Sequence, residues 1–172
     1  MNSELSKYIR DIPDFPKKGI IFKDITTLLK EPSLFRKVIN IFFKRYRNKK
    51  INLVVAVEAR GFIFGAALAY KLGAGFVPVR KKGKLPAQTI EATYNLEYGT
   101  DTLTMHKDAI QRGQNILIVD DLLATGGTVG AVTELVERLK GKIVELAFLI
   151  ELTFLKGRDK LIKYPVFSLI KY

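Results

Sequence analysis

An open α/β fold, with a central, mainly parallel β-sheet flanked by helices, is the class this sequence predicts. Two observations carry the prediction. Four short apolar runs rich in β-branched residues, 51–57 (INLVVAV), 75–80 (GFVPVR), 115–121 (NILIVDD) and 142–150 (KIVELAFLI), are continuous rather than alternating, as strands covered on both faces are. Between them lie segments of helical spacing, so strand and helix alternate in the order that parallel βαβ units require. The length of 172 residues, 48% hydrophobic, suits one domain with a substantial core. No Pro/Gly/Ser linker, repeat or low-complexity stretch divides it.

Taken in chain order, residues 33–47 (SLFRKVINIFFKRYR) come first, with Leu34, Val38, Ile41 and Phe42 at helical spacing behind Ser33, a suitable N-cap. Phe42, Phe43 and Tyr46 read as its buried stripe, and Lys44, Arg45, Arg47, Lys49 and Lys50 as a solvated helix end. After strand 51–57 comes a helical pattern at Gly65–Leu72, then strand 75–80. Residues 81–106 break the rhythm. TIEATYNLEY and TLTM alternate on either side of Gly99, as a β-hairpin would, with His106 at its base. An excursion of this length between core strands has the size of a lid or binding loop. Strand 115–121, a helix over Thr128–Leu139 and strand 142–150 complete the pattern.

Composition excludes several chemistries. With no Cys and only His106, disulfides, thiolate metal sites, Cys nucleophiles and multi-histidine zinc sites are ruled out. Residues 1–15 hold no apolar run suited to a signal peptide, and the longest apolar stretches fall short of a membrane span, so a cytoplasmic, non-membrane protein is expected. The formal charge of +12 raises the question of nucleic acid. Its excess is mainly N-terminal, with 13 basic and 5 acidic side chains in residues 1–50, and in the basic run from Lys44 to Lys50 the intervening residues offer little aromatic platform for bases.

The most informative run is 115–128, NILIVDDLLATGGT. A buried strand ends in Asp120 and Asp121, and a loop of small residues, Ala124, Thr125, Gly126, Gly127 and Thr128, then opens a helix. Small residues let backbone N–H groups approach an anion, and the helix N-terminus adds partial positive charge. No Lys follows the glycines and GxGxxG is absent, so a Walker or dinucleotide site is unsupported. Phosphate donors beside carboxylates that accept from sugar hydroxyls match a ribose 5-phosphate. The bland alternative is a strand end followed by a tight turn with a Thr cap.

ILIVDDLLATGGT resembles the ribose-phosphate-pyrophosphate signature of type I phosphoribosyltransferases, in particular their adenine phosphoribosyltransferase branch. The resemblance extends over almost the whole chain, through IPDFPKKGIIFKDIT (12–26), VEARGFIFGAALA (57–69), PVRKKGKLP (78–86), LEYG (96–99), ELTFLKGRDKL and PVFSLIKY. It implies the type I phosphoribosyltransferase fold with a flexible hairpin lid at about 81–106, a single domain over 1–172 and a base-binding hood at 1–32. It implies the reaction of adenine with 5-phosphoribosyl 1-pyrophosphate to give AMP and pyrophosphate, Mg²⁺ held by the substrate rather than by direct protein ligands, and a homodimer.

Roles follow by position. The resemblance implies pyrophosphate binding at Glu58, Ala59 and Arg60, with a cis peptide at Glu58–Ala59, and at Arg80, Lys81 and Lys84, with Lys82 outward. Ile21, Phe22 and Lys23 are implied in adenine recognition, Phe22 by stacking and the other two through main-chain groups. In the implied lid, Glu97 is the catalytic proton-exchanging group, beside Tyr98. Read without the resemblance, Arg60 is a solvated residue beside a Gly turn, Phe22 a core aromatic and Glu97 a hairpin residue. Two other functions remain open at this level: a transferase for xanthine or another 6-oxopurine, separable by a base panel, and a nucleic-acid-binding regulator that senses phosphoribosyl pyrophosphate, separable by salt-sensitive duplex binding. The second lacks room, because residues 1–32 are short and Pro-interrupted for a winged helix.

Overall fold

The computed structural model describes residues 3–95 and 100–172. After a short helix α1 (Ser3–Ser6), strands β1 (Arg10–Pro13) and β2 (Ile21–Asp24) pair antiparallel, with Ile12 opposite Phe22. The turn between them contains a cis Phe15–Pro16 bond. Asp24 fastens the ribbon. It accepts from Arg10 at 2.5 and 3.0 Å and from the Thr26 N–H at 2.9 Å, and the N–H bond first, with the Arg10 bonds, lowers its carboxyl to about 2. This ribbon was not legible from periodicity, because its four-residue strands carry charges and a proline at the sheet's margin.

Helices α2 (Thr26–Leu29) and α3 (Pro32–Tyr46) follow. The α3 N-cap is Glu31, not Ser33, because Pro32 occupies the first helical turn, where its missing N–H costs nothing. Val38, Ile39, Phe42 and Tyr46 form the buried stripe. The expected solvated end of this helix needs correction. Arg45 and Lys49 both bind Glu145, which is 2% exposed, the lysine at 2.7 Å, while the Arg45 guanidinium also lies 4.2 Å from the Phe167 ring centroid. The long aliphatic stems let both cations reach inward while their outer faces stay wet.

The main sheet contains β3 (Leu53–Val57), β4 (Gly75–Lys81), β5 (Thr89–Asn95), β6 (Thr100–His106), β7 (Asn115–Leu123), β8 (Lys142–Glu151) and β9 (Val166–Lys171), in the spatial order β5-β6-β4-β3-β7-β8-β9. The run β4-β3-β7-β8-β9 is parallel, and β6 pairs antiparallel with both β4 and β5. The four core strands read from sequence are therefore present. Strand β9 was missed because it is short, half-exposed and broken by Ser168. Helix α4 (Arg60–Leu72) connects β3 to β4 and begins earlier than Gly65, and α5 (Gly127–Arg138) connects β7 to β8.

Two cores cover the two faces. Val38, Phe42, Val54, Phe64, Leu68, Leu117 and Val119 pack together on the α3/α4 side; Val55, Val79, Ile116, Ile118, Val132 and Leu135 do so on the α5 side. The β5–β6 hairpin joins the second core through Ala92, Leu103 and Met105, each no more than 3% exposed. Its body is thus part of the sheet. His106 lies at its base opposite Thr89, with a buried Nε2 that has no hydrogen-bond partner among the described residues.

From the adjacent strands β3 and β7 the chain departs in opposite directions, through α4 to β4 and through α5 to β8. The carboxyl ends of such a diverging pair leave a crevice in which open α/β sheets bind ligands.

Candidate active site

Parallel register decides which residues meet in that crevice. Ala56 pairs with Val119 and Val57 with Val79, so residues just beyond Val57 stand between Asp120–Asp121 of β7 and Arg80 of β4. The Glu58 N–H donates to Val79 O at 3.0 Å. Its carboxylate accepts from Arg80 Nε and from the Lys81 N–H, both at 2.8 Å, and Arg80 also donates to Lys84 O at 3.1 Å. Burial pushes the Glu58 carboxyl up, but these bonds and the nearby cations bring it net below the ordinary range. The Glu58–Ala59 bond is cis, as the resemblance implied. It turns the chain directly into α4 at Arg60.

Arg60 links three parts of the crevice. Its Nε lies 2.9 Å from Asp121 Oδ2, an ion pair out of hydrogen-bond alignment, so this buried oxygen accepts no hydrogen bond from the described residues. The guanidinium also lies 5.0 Å from the Phe22 ring centroid. Phe22, in turn, meets Phe15 edge to face at 5.2 Å and is half-buried rather than a core residue. Ile21 beside it is exposed, whereas the Lys23 ammonium is committed to Asp11 at 2.7 Å and to the Tyr172 ring at 3.8 Å. The Lys23 side chain is therefore turned from the crevice, which leaves its main chain as the part available to a ligand.

The Asp120–Thr128 segment and Arg60 line a cavity of about 210 Å³. Gly126 caps α5 at φ +81°, in the left-handed region that glycine enters without Cβ cost, and no side chain caps the helix. The first-turn N–H groups have no carbonyl within the helix to receive them and face this cavity as donors. Asp120 Oδ1 accepts the Asp121 N–H at 2.9 Å. Burial first, then the Asp121 charge, pushes the Asp120 carboxyl well up. Burial also raises Asp121, against the pull of Arg60.

Lys81 is paired with Asp101 at 2.9 Å and Lys82 with Glu91 at 2.9 Å, both on the hairpin, while Lys84 is exposed. The structure thus brings together Phe22, Glu58, Ala59, Arg60, Arg80, Asp120, Asp121 and the loop 124–128. Glu97 and Tyr98 lie outside the described residues. Two glycines gained their place only from the structure. Gly61 stands where a Cβ would be 2.7 Å from Asp120 Oδ1, and Gly157 where a Cβ would be 2.2 Å from Ala124 O. The visible signal for both was a glycine beside charged residues just after a strand, in EARG and LKGRD.

The phosphoribosyl transferase domain family matches residues 24–170. The adenine phosphoribosyltransferase of Geotalea daltonii is 62% identical over 169 residues, covering 98% of this chain and 99% of that protein. The crystal structure of the adenine phosphoribosyltransferase from Thermoanaerobacter pseudethanolicus superposes with a TM-score of 0.95 at 58% identity, covering 98% of each chain. That of the Saccharomyces cerevisiae enzyme, complexed with adenine and an imino-altritol bisphosphate, has a TM-score of 0.92 at 47% identity and covers 96% of each. The chain belongs to the phosphoribosyl transferase family, in its adenine phosphoribosyltransferase branch.

Proposed function

We propose that the chain transfers the 5-phosphoribosyl group of 5-phosphoribosyl 1-pyrophosphate to adenine, releasing AMP and pyrophosphate. The observation that carries this reading is the convergence, at the carboxyl ends of β4, β3 and β7, of a phosphate-sized cradle, a carboxylate pair and an arginine under an aromatic ring. In the reaction the bond from the anomeric carbon to pyrophosphate breaks, a ring nitrogen of adenine bonds to that carbon, and the nitrogen's proton leaves. Positive charge develops on the sugar and negative charge on the leaving group, so fixed charges and dipoles carry the catalysis.

Ala124, Thr125, Gly126, Gly127 and Thr128 hold the 5-phosphate through N–H groups and hydroxyls, and Asp120 and Asp121 accept from the ribose hydroxyls. Asp121 Oδ2 supports this assignment, since it is buried and ion-paired with Arg60 yet accepts no hydrogen bond from the described residues, so an incoming hydroxyl donor satisfies it. Arg60, Arg80, Lys81, Lys84 and the turn at Glu58–Ala59 meet the pyrophosphate. Arg80 and Lys81 are paired with carboxylates, so they exchange these partners for phosphate oxygens when the donor binds. Phe22 stacks on the purine, and main-chain groups of Ile21 and Lys23 read its edge. Glu97, next to Tyr98, exchanges the proton of the ring nitrogen.

Asp120 and Asp121, adjacent carboxylates lining the cavity, would hold through water the Mg²⁺ that comes with the diphosphate. When bound, the ion neutralises charge on the leaving group. We read 1–172 as one domain with a hood at 1–32, acting as a cytoplasmic homodimer on small molecules. Ion pairs from Arg10, Lys23, Lys37, Arg45 and Lys49 occupy part of the N-terminal basic surplus and make it less available to nucleic acid.

The test is a panel of adenine, hypoxanthine, guanine and xanthine with the donor, with and without Mg²⁺, monitoring nucleotide formation. AMP from adenine, at a kcat/KM well above that for any 6-oxopurine, is expected. Preference for a 6-oxopurine, or no nucleotide at all, contradicts the reading.

A further inference from the structure

Beyond the phosphate loop lies a segment that touches no part of the proposed substrate. After β8 ends at Glu151, the chain makes two single turns of 3-10 helix, Thr153–Leu155 and Gly157–Lys160, joined at Lys156. Lys156 has φ +52°, unusual for a residue with a side chain. Gly157 is buried and lies directly on the phosphate loop. A Cβ on it would stand 2.2 Å from Ala124 O and 3.1 Å from Gly126 N, and a Cβ on Gly126 would stand 2.5 Å from Gly157 O. Gly157 is not among the residues with positive φ. Glycine is required there for space and not for backbone conformation.

The next residue ties this contact down. Arg158 grips Glu151 with Nε at 2.5 Å and Nη2 at 2.8 Å, and its Nη1 donates to Val166 O at 2.9 Å. Glu151 is 4% exposed and is in register with Leu123, the residue immediately before the loop. The Leu152 N–H also donates to Leu123 O at 2.9 Å. One arginine thus joins the ends of β8 and β9 to the turn that bears on Ala124–Gly126.

We infer that residues 151–160 form a positioning strap for the phosphate loop, with Gly157 as the bearing point and the Glu151–Arg158 pair as its tether. This deepens the reading of that loop as the 5-phosphate cradle and rests on it. A loop of Ala, Thr and Gly has no large side chains to wedge its backbone in place, and its N–H groups serve a phosphate only if their directions are fixed before binding. The strap supplies the fixing surface from behind. Glu151 and Arg158 are positioning residues and do not reach the substrate.

The experiment compares the parent enzyme with Gly157→Ala, Arg158→Ala and Arg158→Lys. It measures kcat, the KM for each substrate, and the Kd for ribose 5-phosphate by calorimetry, on proteins shown to be folded by circular dichroism. Gly157→Ala is expected to weaken ribose 5-phosphate and raise the donor KM by about 10- to 100-fold, the scale of a misplacement near 1 Å, with adenine KM within about twofold. Arg158→Ala is expected to act in the same direction, and Arg158→Lys to recover part of the loss. An unchanged donor KM in folded Gly157→Ala, or equal rises in both KM values, overturns the strap. Should Gly157→Ala not fold, the two Arg158 variants decide alone, and a donor KM at the parent value in both overturns it. A parent that makes no AMP instead refutes the proposed function.

Discussion

Replacing Gly61 with alanine puts the account under direct stress. Gly61 lies in the first turn of α4, against the carboxyl end of β7. The added Cβ would stand 2.7 Å from Asp120 Oδ1, 3.2 Å from Val119 O and 3.4 Å from Asp120 Cα. A carbon–oxygen contact settles at about 3.3–3.6 Å, so the carboxylate oxygen must retreat by at least about 0.6 Å. That same oxygen accepts the Asp121 N–H at 2.9 Å, and the retreat breaks the bond that orients the Asp120 carboxylate. Backbone atoms close the other directions, so the strain resembles overpacking of a core, about 1–3 kcal/mol. Taken near 2 kcal/mol, this amounts to about a 30-fold fall in kcat/KM for the donor. The assay is initial-rate kinetics with each substrate varied, with Gly130→Ala as control. Gly130 has nothing within 4 Å of an added Cβ, so its variant is expected to keep parental kinetics and gain about 0.5–1 kcal/mol in stability. A folded Gly61→Ala enzyme with donor kcat/KM within twofold of the parent would refute the claim that Asp120 is held in place for the sugar.

Three further expectations follow from the geometry. Phe22→Ala removes the ring beneath which Arg60 lies, and the lost stacking of about 0.5–1.5 kcal/mol plus lost contact area should raise the adenine KM by roughly 5- to 20-fold with little change for the donor; equal changes in both would argue against a base-binding role. Arg45→Ala combined with Lys49→Ala strips Glu145, 2% exposed beneath them, of both cations, so chemical denaturation should show a loss of up to about 3 kcal/mol, reduced as water reaches the uncovered carboxylate, most of it recovered by adding Glu145→Gln. Asp24 has a folded-state value near 2, below its ordinary 3.8, so its contribution is present above about pH 4 and lost as pH falls towards 2. With screening at the ribbon's wet edge, denaturation of the parent and Asp24→Asn between pH 6 and 2 should differ by about 1 kcal/mol at the upper end and converge at the lower.

The sequence made the centre of this molecule legible and left its margins obscure, for physical reasons. Strands β3, β4, β7 and β8 are buried on both faces, so their apolar runs are unbroken and visible in one dimension. The small-residue loop after Asp120–Asp121 was visible because an anion site needs bare backbone at a helix N-terminus. Helix α4 was read as beginning at Gly65 because Gly61 looks like a turn residue; both glycines let the helix approach the sheet closely, Gly61 at β7 and Gly65 at β3. The β1–β2 ribbon and β9 lie at margins where four to six residues, some charged, carry no period. Arg45 and Lys49 looked like surface residues because nothing local announces a carboxylate a hundred positions away. The same limit hid the strap, since Gly157 and Ala124 meet only once β7 and β8 are side by side.

The central claim is that one crevice holds phosphate at 124–128 and the purine at Phe22, with Arg60 between them. A crystal structure of the complex with AMP tests it most directly. The 5-phosphate is expected within hydrogen-bonding distance of N–H groups of the loop 124–128, the ribose hydroxyls against Asp120 and Asp121, and the adenine ring stacked on Phe22. AMP bound with its phosphate away from that loop, or with its base remote from Phe22, would contradict it.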